Sequence, residues 1–382
     1  MTDGIVIAGG GLAAQRCAEA LRRTDYDGPI RMICAEPHRP YDRPPLSKAL
    51  LDSDGADHGV SFRPSVWYEE QEIDLLVGVA AEGLDPAARA VALSNGTSLR
   101  YRRLLIATGS RPRTLPLLDG FDNVSALRTV DDAHALRPVL RDGSRLVIVG
   151  GGFIGQEVAA AAVKAGAETT IVEAARAPME ALLGPTMGEW FAGLHRRHGV
   201  TVITGAEVAR AAGNGRVESL TLADGRRLRC DHVLVGIGVV PDLGWVAGTS
   251  LEPTGIHTGP GGRTSVPGVF AAGDAAATYQ PALGRRVPGG HWESAAREGA
   301  AAGSAMLGLA LPPAPAASFW SDLYGTRVQY LGHAPLADAA AIDGDTTAPD
   351  FTVTFTRAGA PVAVLLVGRP HDLPRARALL SN

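Results

Sequence analysis

Residues 4–23 read GIVIAGGGLAAQRCAEALRR, and residues 144–166 read SRLVIVGGGFIGQEVAAAAVKAG. Each stretch is a short β-branched run, then three glycines, then an alanine-rich helical pattern. The first glycines of the two turns, Gly9 and Gly150, lie 141 residues apart, and so long a period indicates a duplicated domain rather than a solenoid. A strand, a glycine turn, a helix and a second strand form the βαβ unit of a dinucleotide-binding domain.

Three positions of each glycine turn have separate physical duties. The first permits a tight turn, the second lets the backbone approach a pyrophosphate, and the third lets the helix lie close to the strand. Free N–H groups of the first helical turn then face the phosphates. These positions are Gly9, Gly11 and Ala14 in the first copy, with Leu12 and Ala13 between them, and Gly150, Gly152 and Gly155 in the second, with Phe153 and Ile154 between them.

The second strand of each copy leads to an acidic residue, Glu36 in the first and Glu173 in the second. A carboxylate at this point can accept hydrogen bonds from ribose hydroxyl groups. The alternative is a solvated charge at the end of a strand. Two such sites in one chain suggest two different dinucleotides, and the simplest pair is a tightly held flavin and an exchanging nicotinamide.

A further motif distinguishes the two copies. Residues 269–275 read VFAAGDA, a short buried strand that ends in Gly273 and Asp274. The Asp274 carboxylate can bind the ribityl chain of a flavin, although capping a helix is the more usual task of an aspartate.

The composition excludes several classes of protein. The 382 residues carry 36 Lys and Arg against 40 Asp and Glu, a formal charge of −4, so no basic excess exists for general nucleic-acid binding. A hydrophobic share of 46% is ample for two or three domains. The three cysteines form no C-x-x-C motif or Cys/His cluster, so we expect neither a metal site nor a disulfide framework. With no signal-peptide pattern and no apolar run of 18 residues, we expect a cytoplasmic protein without a membrane span.

Together, the motifs resemble those of the FAD-dependent pyridine-nucleotide reductases, in family order and over essentially the whole chain. The resemblance implies an α/β fold with two Rossmann-like, three-layer dinucleotide-binding domains of the glutathione-reductase type and a C-terminal α+β domain. It assigns residues 1–115 and 241–310 to FAD binding, 116–240 to NAD binding and 311–382 to the C-terminal domain. The first glycine motif, Ala107, Thr108, Gly109 and Asp274 would then serve FAD. The second motif and Gly238 would serve the nicotinamide dinucleotide.

Residues 37–48, PHRPYDRPPLSK, resemble the signature of NADH-dependent, oxygenase-coupled ferredoxin reductases of the putidaredoxin reductase type. Disulfide reductases carry their redox cysteine pair in the helix that follows, whereas this chain has Pro44-Pro45-Leu46-Ser47-Lys48. Electrons on the flavin therefore have no protein thiol to reach and must leave directly for an outside acceptor.

The resemblance also implies roles for individual side chains. Arg43 and Pro45, or its neighbour Pro44, would line the flavin, although the proline pair also suits a rigid turn. Lys48 would lie near flavin N5, paired with Glu157, where its charge favours the reduced flavin. Without the resemblance, Lys48 reads as a surface lysine and Glu157 as an acid that favours the helix dipole.

Two residues bear on the nicotinamide side of the reaction. Trp292 would form a wall between flavin and nicotinamide, although tryptophan is more often plain core. Glu173 repels a 2′-phosphate and favours NADH, while Arg176 could instead grip that phosphate or stack on adenine. We expect NADH.

The C-terminal segment begins with a proline- and alanine-rich linker at residues 311–318, followed by strand-like runs and a short terminal helix. Its aromatic residues could flank the edge of the flavin where a partner protein docks, or they could belong to ordinary core packing. Surface arginines could likewise attract an acidic ferredoxin or have no such role. The aromatic residues are Phe319, Trp320 and Tyr324, and the arginines are Arg100, Arg102, Arg103, Arg285 and Arg286.

The expected reaction is hydride transfer from NADH to FAD, followed by two single-electron steps to an iron–sulfur ferredoxin that supplies an oxygenase. Lys48, Glu157 and Trp292 are the candidate catalytic residues. One alternative is an NADH-dependent reductase whose acceptor is rubredoxin, a quinone or oxygen. Another is a slow-turnover, partner-binding flavoprotein of the apoptosis-inducing-factor type. We expect a monomer or a homodimer.

Overall fold

A computed structural model describes residues 3–52, 59–311 and 318–380. The predicted linker at 311–318 falls almost wholly on residues 312–317, outside the described residues. The chain divides into two compact units. The first unit consists of Met1–Asp42, Gly59–Arg111 and Val240–Ala317, and the second of Arg43–His58, Pro112–Val239 and Ser318–Asn382.

Helices in the described residues are α1 (Leu12–Arg23), α2 (Ser65–Glu70), α3 (Val130–Leu136), α4 (Phe153–Lys164), α5 (Glu180–Arg197), α6 (Trp292–Met306) and α7 (Leu373–Leu379). The first strands are β1 (Gly4–Ala8), β2 (Ile30–Cys34), β3 (Ile73–Val77), β4 (Ala81–Asp85), β5 (Ala90–Leu93), β6 (Ser98–Ile106), β7 (Ser110–Pro112), β8 (Val124–Ser125), β9 (Arg145–Val149), β10 (Glu168–Glu173), β11 (Thr201–Thr204) and β12 (Val208–Ala212). The remaining strands are β13 (Ser219–Leu222), β14 (Arg227–Arg229), β15 (His232–Val235), β16 (Val239–Pro241), β17 (Ile256–Thr258), β18 (Val269–Ala271), β19 (Ala276–Gln280), β20 (Arg285–Pro288), β21 (Ser318–Leu323), β22 (Thr326–Gly332), β23 (Ala339–Asp345), β24 (Asp350–Arg357) and β25 (Ala360–Val367).

The first unit is built on a sheet in the order β3-β2-β1-β6, all parallel, with β18 parallel to the C-terminal half of β6. The N-terminal half of β6 pairs instead with the β4–β5 hairpin. Every residue of β1 is buried, which explains its uninterrupted apolar sequence, because a central parallel strand is covered on both faces. A smaller sheet in the order β17-β19-β20 completes this unit.

The second unit repeats the first sheet. Its parallel strands lie in the order β11-β10-β9-β15-β8, so the first, second, third and fourth strands of both copies occupy matching places. An antiparallel sheet in the order β12-β13-β14 is attached to this part of the chain. The repeated order agrees with the duplication that the sequence predicts.

The C-terminal sheet lies in the order β21-β22-β25-β24-β23 and is antiparallel throughout. One face packs on α5, where Met187 and Phe191 share a hydrophobic cluster with Phe319, Phe351 and Leu365. The other face packs on α7. The predicted fold class, two Rossmann-like domains and a C-terminal α+β domain, is confirmed. No helix in the described residues is long and apolar enough to cross a membrane.

Candidate nucleotide-binding sites

The first glycine of each turn occupies backbone space that no side chain could share. Gly9 has φ +134°, and a Cβ placed on it would lie 2.1 Å from the Ala107 carbonyl oxygen. Gly150 has φ +109°, and its Cβ would lie 2.3 Å from the Gly236 carbonyl oxygen. Both turns therefore require glycine for the same reason, a left-handed backbone against the neighbouring strand end.

The second glycine of each turn faces open space. A Cβ on Gly11 would meet no heavy atom within 4 Å, and one on Gly152 would meet only the Gly236 oxygen at 4.0 Å. The third position is again crowded, since a Cβ on Gly155 would lie 2.1 Å from the Gly150 oxygen, while the matching Ala14 is fully buried. The backbone thus packs closely at the first and third positions and opens at the second, as a phosphate cradle needs.

Helices α1 and α4 start at these turns without a side-chain cap. Gly11 and Gly152 are the respective N-cap residues, both extended, and neither makes a side-chain hydrogen bond. The first N–H groups of a helix lack intrahelical acceptors, so each start presents donors and a positive dipole end to an anion. Leu12 and Ala13, predicted to bind FAD, and Phe153 and Ile154, predicted to bind the nicotinamide dinucleotide, lie in these first turns.

Phe153 also makes a packing contact that the sequence did not indicate. Its ring packs edge-on against Phe319, with ring centroids 4.3 Å apart, at the margin of the C-terminal core. Phe319 itself is only 8% exposed and stacks on Tyr330. Of the two interpretations of Phe319, the structure agrees with ordinary packing.

The two acids at the strand ends have different surroundings. Glu36 accepts a hydrogen bond from the Tyr41 hydroxyl. Glu173 accepts one from the Gly151 N–H at 2.7 Å through Oε2 and one from the Ala175 N–H at 2.8 Å through Oε1. The Glu173 carboxylate is therefore fixed beside its glycine turn by two backbone donors.

Arg176, predicted as a possible phosphate ligand, is held by a neighbouring acid. Its side chain is 87% exposed, and its Nη2 lies 2.9 Å from Glu180 Oε1 one helical turn away. Gly238 was also predicted to bind the nicotinamide dinucleotide. It has φ +99°, and its carbonyl accepts the Arg113 N–H at 2.9 Å.

The chain segment after β6 is tied down within the first unit. Thr108 Oγ1 donates to the Asp242 carbonyl at 2.7 Å, and the Asp242 N–H donates to the Gly109 carbonyl at 3.0 Å. Asp274 Oδ2 accepts the Ser110 hydroxyl at 2.6 Å. Ser110 thus brings Asp274 beside Thr108 and Gly109, although Ser110 and Asp274 lie 164 residues apart in the sequence.

Glu298 is a partly buried acid next to Gly273 that the sequence did not identify. Its Oε2 accepts the Gly273 N–H at 2.9 Å. Burial raises the pKa of this carboxyl to about 7, against the opposing effect of that hydrogen bond. In the helical stretch AAREGAAAG the residue reads as an ordinary helix acid, so no sequence signal distinguishes it.

Lys48 and Glu157 form a close, largely buried ion pair in the second unit. Lys48 Nζ lies 2.5 Å from Glu157 Oε1, and the two side chains are 22% and 5% exposed. The Glu157 carboxylate also accepts the Ser47 hydroxyl, and the Ser321 hydroxyl at 2.7 Å. Three donors thus stabilise the buried carboxylate, and neither serine was predicted.

Trp292, Arg43 and Pro45 are each held by neighbours within their own unit. Trp292 is the first residue of α6, and its indole N–H donates to Asp42 Oδ1 at 2.6 Å. Arg43 donates to the Arg128 carbonyl. Pro45 lies half-buried in the short 3-10 helix Pro44–Ser47 that leads into Lys48.

The three cysteines are buried thiols without a cysteine partner. Burial raises the pKa of Cys17 and of Cys34 to about 12, and that of Cys230 to about 11. A reactive thiol needs a low pKa and solvent access, so these side chains behave as small apolar groups.

One of the arginines that could attract an acidic ferredoxin makes hydrogen bonds within the protein instead. Arg286 Nη1 donates to the Thr258 carbonyl at 2.7 Å and to the Ala277 carbonyl at 3.2 Å, which ties together the β17-β19-β20 sheet. Arg100, by contrast, is largely exposed beside Asp3 at 3.7 Å.

Comparison with known proteins agrees with this geometry. Residues 3–299 match the family model described as pyridine nucleotide-disulphide oxidoreductase, and residues 318–382 match the model described as reductase C-terminal. The ferredoxin–NAD(+) reductase component of the anthranilate 1,2-dioxygenase system of Burkholderia cepacia is 37% identical, over 99% of this chain and 94% of its own length.

Two further proteins extend the comparison. The ferredoxin–NAD(+) reductase component of the biphenyl dioxygenase system of Paraburkholderia xenovorans (strain LB400) is 38% identical, over 90% of this chain and 85% of its own. The crystal structure of the covalent putidaredoxin reductase–putidaredoxin complex matches with a TM-score of 0.96 at 32% identity, covering 99% of this chain and 93% of that one. The chain belongs to the pyridine nucleotide-disulphide oxidoreductase family and ends in the reductase C-terminal domain.

Proposed function

We propose that this chain is an FAD-dependent ferredoxin reductase, which passes electrons from NADH through its flavin to an iron–sulfur ferredoxin that supplies an oxygenase. The observation that carries the proposal is the paired glycine turn, one in each unit, with the same Cβ-excluding contacts and the same uncapped helix. Full-length similarity to ferredoxin reductase components of dioxygenase systems supports the choice of acceptor.

The residues of the first unit fit an FAD. The open face at Gly11 and the uncapped start of α1 suit a pyrophosphate, and Glu36 suits the adenosine ribose. Asp274, oriented by Ser110, suits the ribityl hydroxyls. Flavin, when bound, accepts an electron pair from a nicotinamide and releases electrons singly. The residues that we assign to FAD are Gly9, Gly11, Leu12, Ala13, Ala14, Glu36, Arg43, Pro45, Lys48, Ala107, Thr108, Gly109, Asp274 and Trp292.

The second glycine turn would take NADH as substrate. Its open position at Gly152 and the uncapped start of α4 suit the pyrophosphate, while the anchored Glu173 carboxylate suits an unphosphorylated ribose. The exposed Arg176 is already paired with Glu180, which weakens the case for a 2′-phosphate ligand. We assign to NADH Gly150, Gly152, Phe153, Ile154, Gly155, Glu173, Arg176 and Gly238.

Lys48, Glu157 and Trp292 are the proposed catalytic residues. Glu157 holds the Lys48 ammonium in one place, and a charge fixed beside a bound flavin would stabilise negative charge on it. The Asp42 carboxylate fixes the indole of Trp292, which therefore presents one ring orientation. The buried, high-pKa cysteines leave the electrons no thiol to reduce.

The domain limits follow the same proposal: FAD binding by residues 1–115 and 241–310, NADH binding by 116–240, and a C-terminal domain from 311. A monomer or homodimer in the cytoplasm stays the prediction for assembly and location.

An acceptor screen tests the function. The purified protein is reduced with NADH anaerobically in a stopped-flow instrument, then mixed with a [2Fe–2S] ferredoxin, a rubredoxin, a quinone or oxygen. We expect the ferredoxin to reoxidise the flavin fastest. Faster reoxidation by another acceptor would transfer the assignment to that acceptor class. A long-lived flavin–nicotinamide charge-transfer band with slow reoxidation by every acceptor would instead favour a partner-binding flavoprotein.

A further inference from the structure

Buried and partly buried side chains connect the C-terminal sheet with the second glycine turn, all within the second unit. The Tyr324 hydroxyl lies 2.7 Å from His195 Nδ1, and His195 Nε2 lies 3.2 Å from Gln156 Oε1. Gln156 Nε2 then donates to the Gly151 carbonyl at 3.0 Å. Tyr324 lies in the turn between β21 and β22, and Gln156 lies on α4. We name Tyr324, His195 and Gln156 the relay.

The relay has one hydrogen-bond direction. The Gly151 carbonyl can only accept, so Gln156 directs its amide nitrogen to it and its oxygen to His195. His195 must then donate from Nε2 and accept at Nδ1, and the Tyr324 hydroxyl must donate. Every donor along the relay, from the Tyr324 hydroxyl to the Gln156 amide, therefore points at an acceptor.

Burial makes these bonds costly to lose. Gln156 is 2% exposed and His195 is 0% exposed, so water cannot replace a missing partner. Burial lowers the pKa of His195 to about 4, and the ring is neutral at physiological pH. Tyr324 is fixed on its other side by His198, whose ring stacks on it at 3.7 Å and 5°.

The relay ends on Gly151, which lies between the first glycine of the turn, Gly150, and the second, Gly152. The Gly151 carbonyl is held by Gln156, and its N–H donates to the Glu173 carboxylate at 2.7 Å. Both polar groups of one residue in the turn are thus tied to the protein. A rigid turn loses less entropy when a pyrophosphate binds, so its affinity is higher than that of a loose one.

We propose that Gln156 is a positioning residue for nucleotide binding at the second glycine turn, and that Tyr324, acting through His195, lets the C-terminal sheet set that affinity. This inference rests on the proposed function, because it takes the second turn as the NADH site. Neither Gln156 nor Tyr324 is given contact with the nucleotide, and their effect is on the geometry of Gly151.

The test measures nucleotide affinity in the flavin-loaded protein. ADP-ribose is titrated calorimetrically into the wild type, Gln156→Met, Tyr324→Phe and the double variant. Losing one buried hydrogen bond corresponds to about 3- to 10-fold in affinity. We expect Kd to rise about 10-fold in Gln156→Met and about 3-fold in Tyr324→Phe. The double variant should be no weaker than Gln156→Met, because both changes interrupt the same connection.

Tyr330→Phe is the matched control. Tyr330 is a buried tyrosine of the same sheet whose hydroxyl accepts the Ala334 N–H, outside the relay. It should lower the melting temperature without changing the Kd for ADP-ribose. In steady-state assays with NADH and ferricyanide, Gln156→Met should raise KM and leave kcat near the wild-type value.

Two results would overturn the inference: a Kd within about 2-fold of wild type in Gln156→Met, or single-variant effects that multiply in the double variant. If Gln156→Met fails to fold, the comparison of Tyr324→Phe with the control Tyr330→Phe decides alone. Equal Kd values for ADP-ribose in these two variants would reject the role of the relay. A wild type that does not bind ADP-ribose would instead count against the proposed function itself.

Discussion

Lys48→Met should destabilise the second unit more than Glu157→Gln does, although each removes the same ion pair. Removing Lys48 leaves a carboxylate that is 5% exposed and keeps, among the described residues, two serine hydroxyls as donors. Removing the charge of Glu157 leaves an ammonium that is 22% exposed and can turn toward water. Removing the partner of a buried charge, so that the charge stays buried and unpaired, lowers the free energy of unfolding by about 3–5 kcal/mol.

The two hydroxyl donors and the partial exposure of Lys48 reduce that figure, and we expect about 2–4 kcal/mol for Lys48→Met and about 1 kcal/mol for Glu157→Gln. For a domain of this size, each kcal/mol corresponds to about 2–4 °C in Tm. Lys48→Met should therefore melt roughly 4–16 °C lower, and Glu157→Gln about 2–4 °C lower.

Melting is followed by tryptophan fluorescence in the presence of excess FAD, which keeps flavin occupancy equal between variants. The double variant Lys48→Met/Glu157→Gln serves as the control, because it leaves no stranded charge. It should melt higher than Lys48→Met alone. If the two single variants lose equal stability, or if the double variant melts lowest, the reasoning from burial is wrong.

Three further predictions concern kinetics and pH. Lys48→Ala should slow flavin reduction in stopped flow while leaving the Kd for NADH within about 2-fold, and an unchanged reduction rate would remove Lys48 from the mechanism. Glu173→Ala should move the NADPH/NADH ratio of kcat/KM upward by about 10-fold, since the carboxylate no longer repels a 2′-phosphate; an unmoved ratio would contradict the ribose role. Burial lowers the pKa of His195 and of His232 to about 4, below the value of about 6.5 expected when unfolded, so the unfolded chain binds more protons between these values. The unfolding free energy should be fully retained above pH 6.5 and fall by about 1.4 kcal/mol per pH unit and histidine as pH drops toward 4, measured by denaturant midpoints. His195→Asn should lower the slope of unfolding free energy against pH by the contribution of one histidine, about 1.4 kcal/mol per pH unit. An unchanged slope would show that His195 does not titrate in this window.

The glycine turns could be predicted because their requirement is local. Gly9 and Gly150 are fixed by a positive φ and by one neighbouring carbonyl, and the strand before each is marked by its own apolar run. The strand order was not predicted, but its repeat in the second sheet agrees with the predicted duplication. The fold class was accordingly readable from the chain.

The polar network around the site could not be read in the same way. Ser321 lies 164 residues from Glu157, and Tyr324 lies 129 residues from His195. Each looks like an ordinary strand, turn or helix residue until the C-terminal sheet packs on α5. The Lys48–Glu157 pair, 109 residues apart, was predicted only through family resemblance. Long-range contacts between polar side chains leave no periodic trace in a sequence.

An anaerobic titration of the purified, flavin-loaded protein with NADH tests the central claim most directly. Because no thiol pair shares the electrons, we predict that one equivalent of NADH per flavin bleaches the flavin absorbance completely. No thiol should be gained in a parallel thiol assay. A requirement for a second equivalent with new titratable thiols, or a preparation that stays colourless after incubation with excess FAD, would contradict the account.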